Sequence, residues 1–263
     1  MLPLASSELP ASLDDLCGSI REGFARYKIE SPRVVASGKS MTELASLVID
    51  LTDCTFSREL RLPKKIGAAP GPKVSVKALK LTGQPFFFEQ TPIEFNLRAA
   101  DAVLTLAKAD DNESLLTPES VREGEVMLSV DRTALEAALQ ELASAAASKQ
   151  GVEIKKTRLE LTSRTPRALG FRAEITAKMF IMSATVVLTG EVSVDDDLTA
   201  CISKLHFSGS GMAASAAGAF IQPYLKKYDG TKFPLMAFSL GDVKLRDIEV
   251  SGGDALRLKA LFS

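Results

Sequence analysis

The sequence predicts an α+β fold: a strongly curved, mainly antiparallel β-sheet wrapped on long helices. Three observations lead there. From Phe171 to Lys178, apolar Phe171, Ala173, Ile175 and Ala177 interleave with Arg172, Glu174, Thr176 and Lys178, a period of two that gives one dry and one wet face. At Met179-Phe180-Ile181-Met182 the alternation breaks, and Ala184, Val186 and Leu188 resume it in the opposite phase. After another alternating strand with Cys201, Leu205 and Phe207 comes a helical stretch of small residues, GMAASAAGAFIQPYLKKY. Amphipathic strands beside a thin helix describe a sheet that encloses apolar space.

The elements follow in order along the chain. Ser12 is placed to cap a first helix, with Asp15 reaching back, and Leu13, Leu16, Ile20, Phe24 and Tyr27 share one face. Pro32 bars its continuation. Leu47, Ile49 and Leu51 mark a strand that leads to Cys54 and Phe56. Residues 58–80 are basic, with Arg58, Arg61, Lys64, Lys65, Lys73, Lys77 and Lys80 against Glu59 alone, and Gly67, Pro70, Gly71 and Pro72 mark a loop within them. Strands are expected around Val74–Leu81, Ile93–Leu97 and Ala102–Leu106, followed by an acidic loop over 108–125. Val126, Leu128 and Val130 form a strand that runs into Asp131, a helix N-cap, and the helix extends from Arg132 to about Ser148 before Gly151 stops it. The second half repeats the plan of strands, helix and strands. The expected organisation is an N-terminal amphipathic helix over 1–30 and one β-rich domain over 31–263, with a candidate boundary at 108–125.

Composition narrows the function. The chain has 263 residues, 46% of them hydrophobic and 25% charged, as in a globular protein that buries a real core. A net charge of −1 provides no field to recruit nucleic acid, and the absence of Trp with only three Tyr gives little base-stacking surface. Cys17, Cys54 and Cys201 lie far apart and form no CxxC pair, so free thiols in a reducing compartment are the expectation. No apolar run approaches the ~18 residues of a membrane span. MLPLASSELPASLDD has neither a basic n-region nor an apolar h-region. The expected location is the cytoplasm, or a plastid or cell envelope where a targeting segment has been removed.

These elements, in this order, resemble a bacterial and plastid family catalogued as a domain of unknown function, which includes the actinobacterial lipomannan elongation and maturation factor. The segments that carry the resemblance are REGEVMLSVDRTALEAAL, VVLTGEVSV with KLHFSGSG, and LGDVKLRDIEVSGGDALRLKA. KVSVKALKLTGQPFFF and FNLRAADAVLTL fit its middle strands, so that residues 45–262 are covered. The family is similar in fold to the tubular lipid-binding (TULIP-like) proteins, in which a curved sheet rolls around a long helix. The resemblance implies a half-tube that binds a lipid or other amphiphile in an apolar groove. It brings no catalytic residues with it, and the envelope members' signal sequence or anchor has no counterpart here.

Several features are candidate sites. Gly209-Ser210-Gly211-Met212-Ala213-Ala214 fits GxGxxA, with Asp229 20 residues after Gly209. The preceding strand alternates polar and apolar residues, whereas a central strand of a dinucleotide fold is apolar on both faces, so no nucleotide cofactor is expected. His206 is the only histidine and falls on a polar strand face, with no nucleophile beside it in sequence. Asp195-Asp196-Asp197 is too short a run for a calcium site and reads as a solvated hairpin turn. Neither a metal nor a catalytic residue is expected.

Phe86-Phe87-Phe88 is more informative, because adjacent strand residues point to opposite faces. Three consecutive rings require either that both faces are covered or that some rings sit at an opening. The apolar lining expected for a ligand is therefore Phe86, Phe88, Phe95, Met179, Phe180, Met182, Ala216 and Phe220, with Lys64, Lys65 and Lys73 holding an anionic headgroup or the surface of an anionic membrane. The expected function is non-enzymatic carriage of a lipid or amphiphile. The alternative is a scaffold or interaction protein whose groove is filled by its own side chains.

Overall fold

The computed structural model of the chain describes residues 1–57, 65–66, 71–109, 114–148, 152–179, 182–210, 222, 225–235 and 243–263. Among these, 64% are strand and 17% helix. The chain forms two compact units: Met1–Leu128 with Phe238–Asp247 and Lys259–Ser263, and Ser129–Ala237 with Ile248–Leu258.

The first part of the chain contains β1 (Leu2–Leu4), α1 (Leu13–Arg26), β2 (Arg33–Ser40), β3 (Glu43–Asp50), β4 (Thr55–Phe56), β5 (Lys65–Ile66), β6 (Lys73–Phe88), β7 (Thr91–Ala109), β8 (Ser114–Ser120) and β9 (Glu123–Asp131). After α2 (Arg132–Ser148) come β10 (Glu153–Thr165), β11 (Ala168–Met179), β12 (Met182–Val194), β13 (Thr199–Ser210), β14 (Thr231–Pro234), β15 (Leu245–Ser251) and β16 (Ala255–Phe262). An 11-stranded sheet follows the path β15-β16-β9-β7-β6-β3-β2, and a 5-stranded sheet follows β10-β11-β12-β13-β14. Most neighbours are antiparallel; β3 and β4 pair with β6 in parallel.

The expected strongly curved sheet around long helices is not what forms. The sheets are flat, and α1 and α2 have 14 and 17 residues. At 1.5 Å per residue those helices are about 21 and 26 Å long, whereas strands of 16 and 19 residues extend for about 53 and 63 Å. Such helices cannot core a tube along strands of that length. Long strands instead satisfy one another: β6 and β7 form one antiparallel hairpin from Lys73↔Thr105 to Phe88↔Thr91. The three separate strands expected over 74–106 are therefore two continuous ones. The acidic segment 108–125 also holds a strand, β8, because Leu115 and Leu116 are fully buried as it pairs with β1 and β7.

Both helix starts follow from their caps. Ser12 accepts the Asp15 N–H and its hydroxyl donates to the Asp15 carboxylate at 2.6 Å. Asp131 accepts the Thr133 N–H at 2.7 Å and opens α2. Within the first unit, Leu16, Ile20 and Phe24 of α1 join Leu44, Leu47, Ile49, Val74, Val76 and Leu104 in one buried cluster. At Gly23 a Cβ would lie 2.4 Å from the Pro3 carbonyl oxygen, so only glycine lets α1 approach β1 this closely.

The phase switch at Met179–Met182 falls where β11 ends and β12 begins. Met179 pairs with Met182, and the ladder continues without a shift to Ala168↔Ser193. The outer strand β10 exposes one backbone edge, and α2 covers part of it: the Glu136 carboxylate accepts the Leu159 N–H at 2.7 Å.

Candidate functional site

The expected aromatic lining lies at the end of the β6–β7 hairpin. Gly83 pairs with Phe95 and Phe86 with Ile93, so Gln84 and Pro85 oppose Glu94 alone, a bulge that re-aims the strand just before the three phenylalanines. Phe86 then packs edge-to-face against Phe56 at 5.3 Å and Phe95 at 6.1 Å between ring centroids. Phe88 remains 40% exposed at the turn. The structure thus brings Phe86 and Phe95 together, adds Phe56, and leaves Phe88 on the surface. Met179 and Met182 form the last backbone pair of β11 and β12, at a distance in sequence from this cluster. Phe180, Ala216, Phe220 and Lys64 lie outside the described residues, as do Gly211–Ala214 of the glycine motif; Lys65 is placed in β5 by its backbone.

Lys73 is not a free cation. Its ammonium donates to one oxygen of Glu119, whose other oxygen accepts the Thr105 hydroxyl. His206 is exposed on β13 opposite Thr189, and Asp195–Asp197 form the exposed turn between β12 and β13, where Asp195 accepts the Thr199 N–H at 2.8 Å. Among the described residues, no three His, Cys, Asp or Glu side chains come together in a metal-holding cluster. Also among them, no helix is long and apolar enough to cross a membrane.

A second locus lies on β2, β3, β6 and β7. In β3 the buried positions run Leu44, then Leu47 and Ile49; in β7 they run Ala99, then Ala102 and Leu104. In β6, Val74 and Val76 are buried, Lys77 and Ala78 are both exposed, and Leu79 packs on the core. Each strand therefore steps by three residues instead of two at the same level, and the apolar set changes parity while staying on the core side. The ladders pair Leu44↔Val76↔Ala102 and Ser46↔Ala78↔Ala100, but the row between them, Ala45, Lys77 and Asp101, is missing from both. Because all three strands switch together, no register shift separates them.

On the neighbouring strand β2, Gly38 pairs with Leu44, with irregularities on both sides. Asp101 adopts φ 48°, a left-handed conformation that costs a non-glycine residue energy and marks a place worth functional scrutiny. The signal for this common parity switch is present in the sequence as the three-residue spacings Leu44–Leu47, Val76–Leu79 and Ala99–Ala102.

A trough of about 670 Å³ lies along this row, across β2, β3, β6 and β7. Its outward groups are Lys39, Glu43, Ala45, Ser75, Lys77 and Val103. Asp101 also borders it, with its carboxylate held by Arg122 at 2.9 Å. Neither Lys39 nor Lys77 has an ion-pair partner among the described residues. Gly38 contributes only backbone, and a Cβ there would meet the Glu43 carbonyl oxygen at 2.4 Å and Leu44 Cα at 2.7 Å. No family model, no curated protein and no solved structure matches the chain.

Proposed function

We propose that this is a non-enzymatic binding protein that acts through the outer surface of its sheets, with its interior filled by its own side chains. The packing of Phe86 between Phe56 and Phe95 supports this reading, because the rings expected to line a ligand groove contact each other instead. Mutual edge-to-face contact is worth about 0.5–1.5 kcal/mol per pair beyond burial, which favours a closed cluster over an open lining. Among the described residues, a concavity lies along the row of Ala45, Lys77 and Asp101, whose side chains are exposed. Native mass spectrometry of the gently purified full chain tests the reading. The bare mass is expected, and a heterogeneous series of retained lipid adducts would overturn it.

Carriage of a lipid in the interior is the second reading. It draws support from the dry face of β11 and β12, where Ala177 pairs with Ala184 and leaves little side-chain bulk in register. In that reading acyl chains leave water at about 0.8 kcal/mol per buried methylene. The anionic headgroup or membrane contact would fall to Lys64 and Lys65, since Lys73 is occupied by Glu119.

A further inference from the structure

We infer that the trough across β2, β3, β6 and β7 binds an amphiphilic anion: a small molecule with one carboxylate or phosphate group on an apolar body. This deepens the surface-binding reading and rests on it. Size is the first argument. A volume of about 670 Å³ falls within the ~300–1,000 Å³ typical of small-molecule sites. Crossing four strands at ~4.8 Å spacing gives a trough about 14 Å long.

Rigidity is the second. The trough is shaped by backbone, through the row of Ala45, Lys77 and Asp101 that drops out of the ladders, the irregular β2–β3 pairing at Gly38 and the bare surface of that glycine, so the backbone needs no rearrangement to receive a ligand.

Charge decides the ligand class. Two nearby basic groups, Lys73 at the start of β6 and Arg122 in the link between β8 and β9, are engaged by Glu119 and Asp101. Lys39 and Lys77 have no such partner among the described residues, and Glu43 is the single acid left uncompensated at the rim. The balance is one positive charge in surplus, which matches a ligand with one anionic group. Lys39 on β2 and Lys77 on β6 are separated by β3 alone, a spacing of about 10 Å that two flexible four-carbon stems can close on one anion. Ala45 and the half-buried Val103 provide apolar wall beside them. An anion here gains two charge-assisted contacts, and its apolar body covers the alanine and valine surface.

The test titrates laurate, dodecyl phosphate and inorganic phosphate separately, below micelle formation, into the 15N-labelled full chain. Laurate or dodecyl phosphate is expected to shift the amides of Gly38, Ala45, Lys77 and Val103. Lys39→Ala and Lys77→Ala should each weaken binding roughly tenfold, the loss of one charge-assisted contact, while Glu43→Gln tightens it. The urea midpoints of these surface variants should match that of the unaltered chain, which keeps folding out of the comparison. The two alkyl ligands distinguish a carboxylate source from a phosphate source.

Inorganic phosphate that binds as tightly as dodecyl phosphate would overturn the amphiphile. Unchanged affinity in both lysine variants would overturn the site. Shifts at Ala173, Ala184 and Val186 in place of the trough would overturn it in favour of interior carriage. A ligand on an open trough exchanges away during purification, so retained lipid in native mass spectrometry reports the failure of the interior-filled reading separately.

Discussion

Phe171 of β11 pairs with Gly190 of β12, and its ring occupies the space in which a side chain at 190 would begin. A Cβ built on Gly190 would lie 2.5 Å from Phe171 Cζ and 2.7 Å from Leu205 Cδ2. Glycine in a strand interior weakens the sheet, and a cross-strand aromatic ring that covers the gap restores packing. On the far side of Gly190, the β12–β13 register skips a residue near Lys204, which adopts φ 56°. Gly190→Ala should therefore destabilise the chain by about 1–3 kcal/mol through overpacking. In a Phe171→Leu background the same change should cost less, with a coupling of about 0.5–3 kcal/mol between contacting residues. Urea midpoints of the four chains measure this, and strictly additive effects would contradict the ring-over-glycine account.

The contact between Glu136 and Leu159 leads to a second prediction. β10 ends the 5-stranded sheet, and an unpaired edge N–H is both a cost and a template for another strand. Glu136→Ala leaves the Leu159 N–H without the acceptor now at 2.7 Å and should cost about 1–3 kcal/mol. Glu136→Gln keeps an acceptor oxygen and should recover most of the loss. Amide exchange at Leu159, followed by NMR, should quicken in the alanine variant alone.

The sequence made local features legible and left longer-range ones hidden. Ser12, Asp131 and the spacing of Leu16, Ile20 and Phe24 announce α1 and α2, because a cap and an amphipathic stripe are short-range signals. The Asp195–Asp197 turn was readable for the same reason. What failed was the inference from amphipathic strands to a curved wrap. Alternation at Phe171–Lys178 fixes which face is dry, but curvature depends on bulges and on what covers that face. Met179–Met182 shows the ambiguity: a parity switch in one strand and a tight reversal between two look the same along the chain, and the Met179↔Met182 pairing decides for the reversal. The trough was hidden differently. The skips at Leu44–Leu47, Val76–Leu79 and Ala99–Ala102 stand in the sequence, yet only their alignment across β3, β6 and β7 makes them a site.

Thiol reactivity should separate the three cysteines. Cys17 and Cys54 are buried, and Cys201 is half-exposed. Burial pushes the Cys54 thiol above its ordinary value, with the charges of Asp50 and Asp53 adding to the effect, and the thiol donates to the Glu30 carbonyl at 3.2 Å. A disulfide reagent applied to the native chain is expected to label Cys201 first, with Cys17 and Cys54 reacting only as urea unfolds the first unit. Rapid native labelling of Cys54, located by peptide mass mapping, would contradict its placement.

The last prediction concerns the link that carries β3 into the aromatic bulge. The Thr52 hydroxyl bonds the Asp50 carboxylate and accepts the Gln84 N–H at 3.1 Å, while the Thr52 N–H donates to Asp50 at 2.9 Å. The Thr52 hydroxyl bond is the main cause that holds the Asp50 carboxyl below its ordinary value. The Thr52 N–H and the charges of Arg33 and Lys80 act in the same direction, and partial burial opposes them. A carboxyl with a lowered folded pKa stabilises the fold above its unfolded value, about 3.9, and that contribution is lost as pH falls through the folded value. Thr52→Val should move the Asp50 midpoint upward in a 13C-carboxyl NMR titration, and Thr52→Ser, which keeps the hydroxyl, should restore it. The stability gap between wild type and Thr52→Val, read from urea midpoints, should be constant near neutrality and narrow below pH ~4 as Asp50 protonates in both chains. A gap independent of pH would mean that the hydroxyl acts through the Gln84 N–H alone.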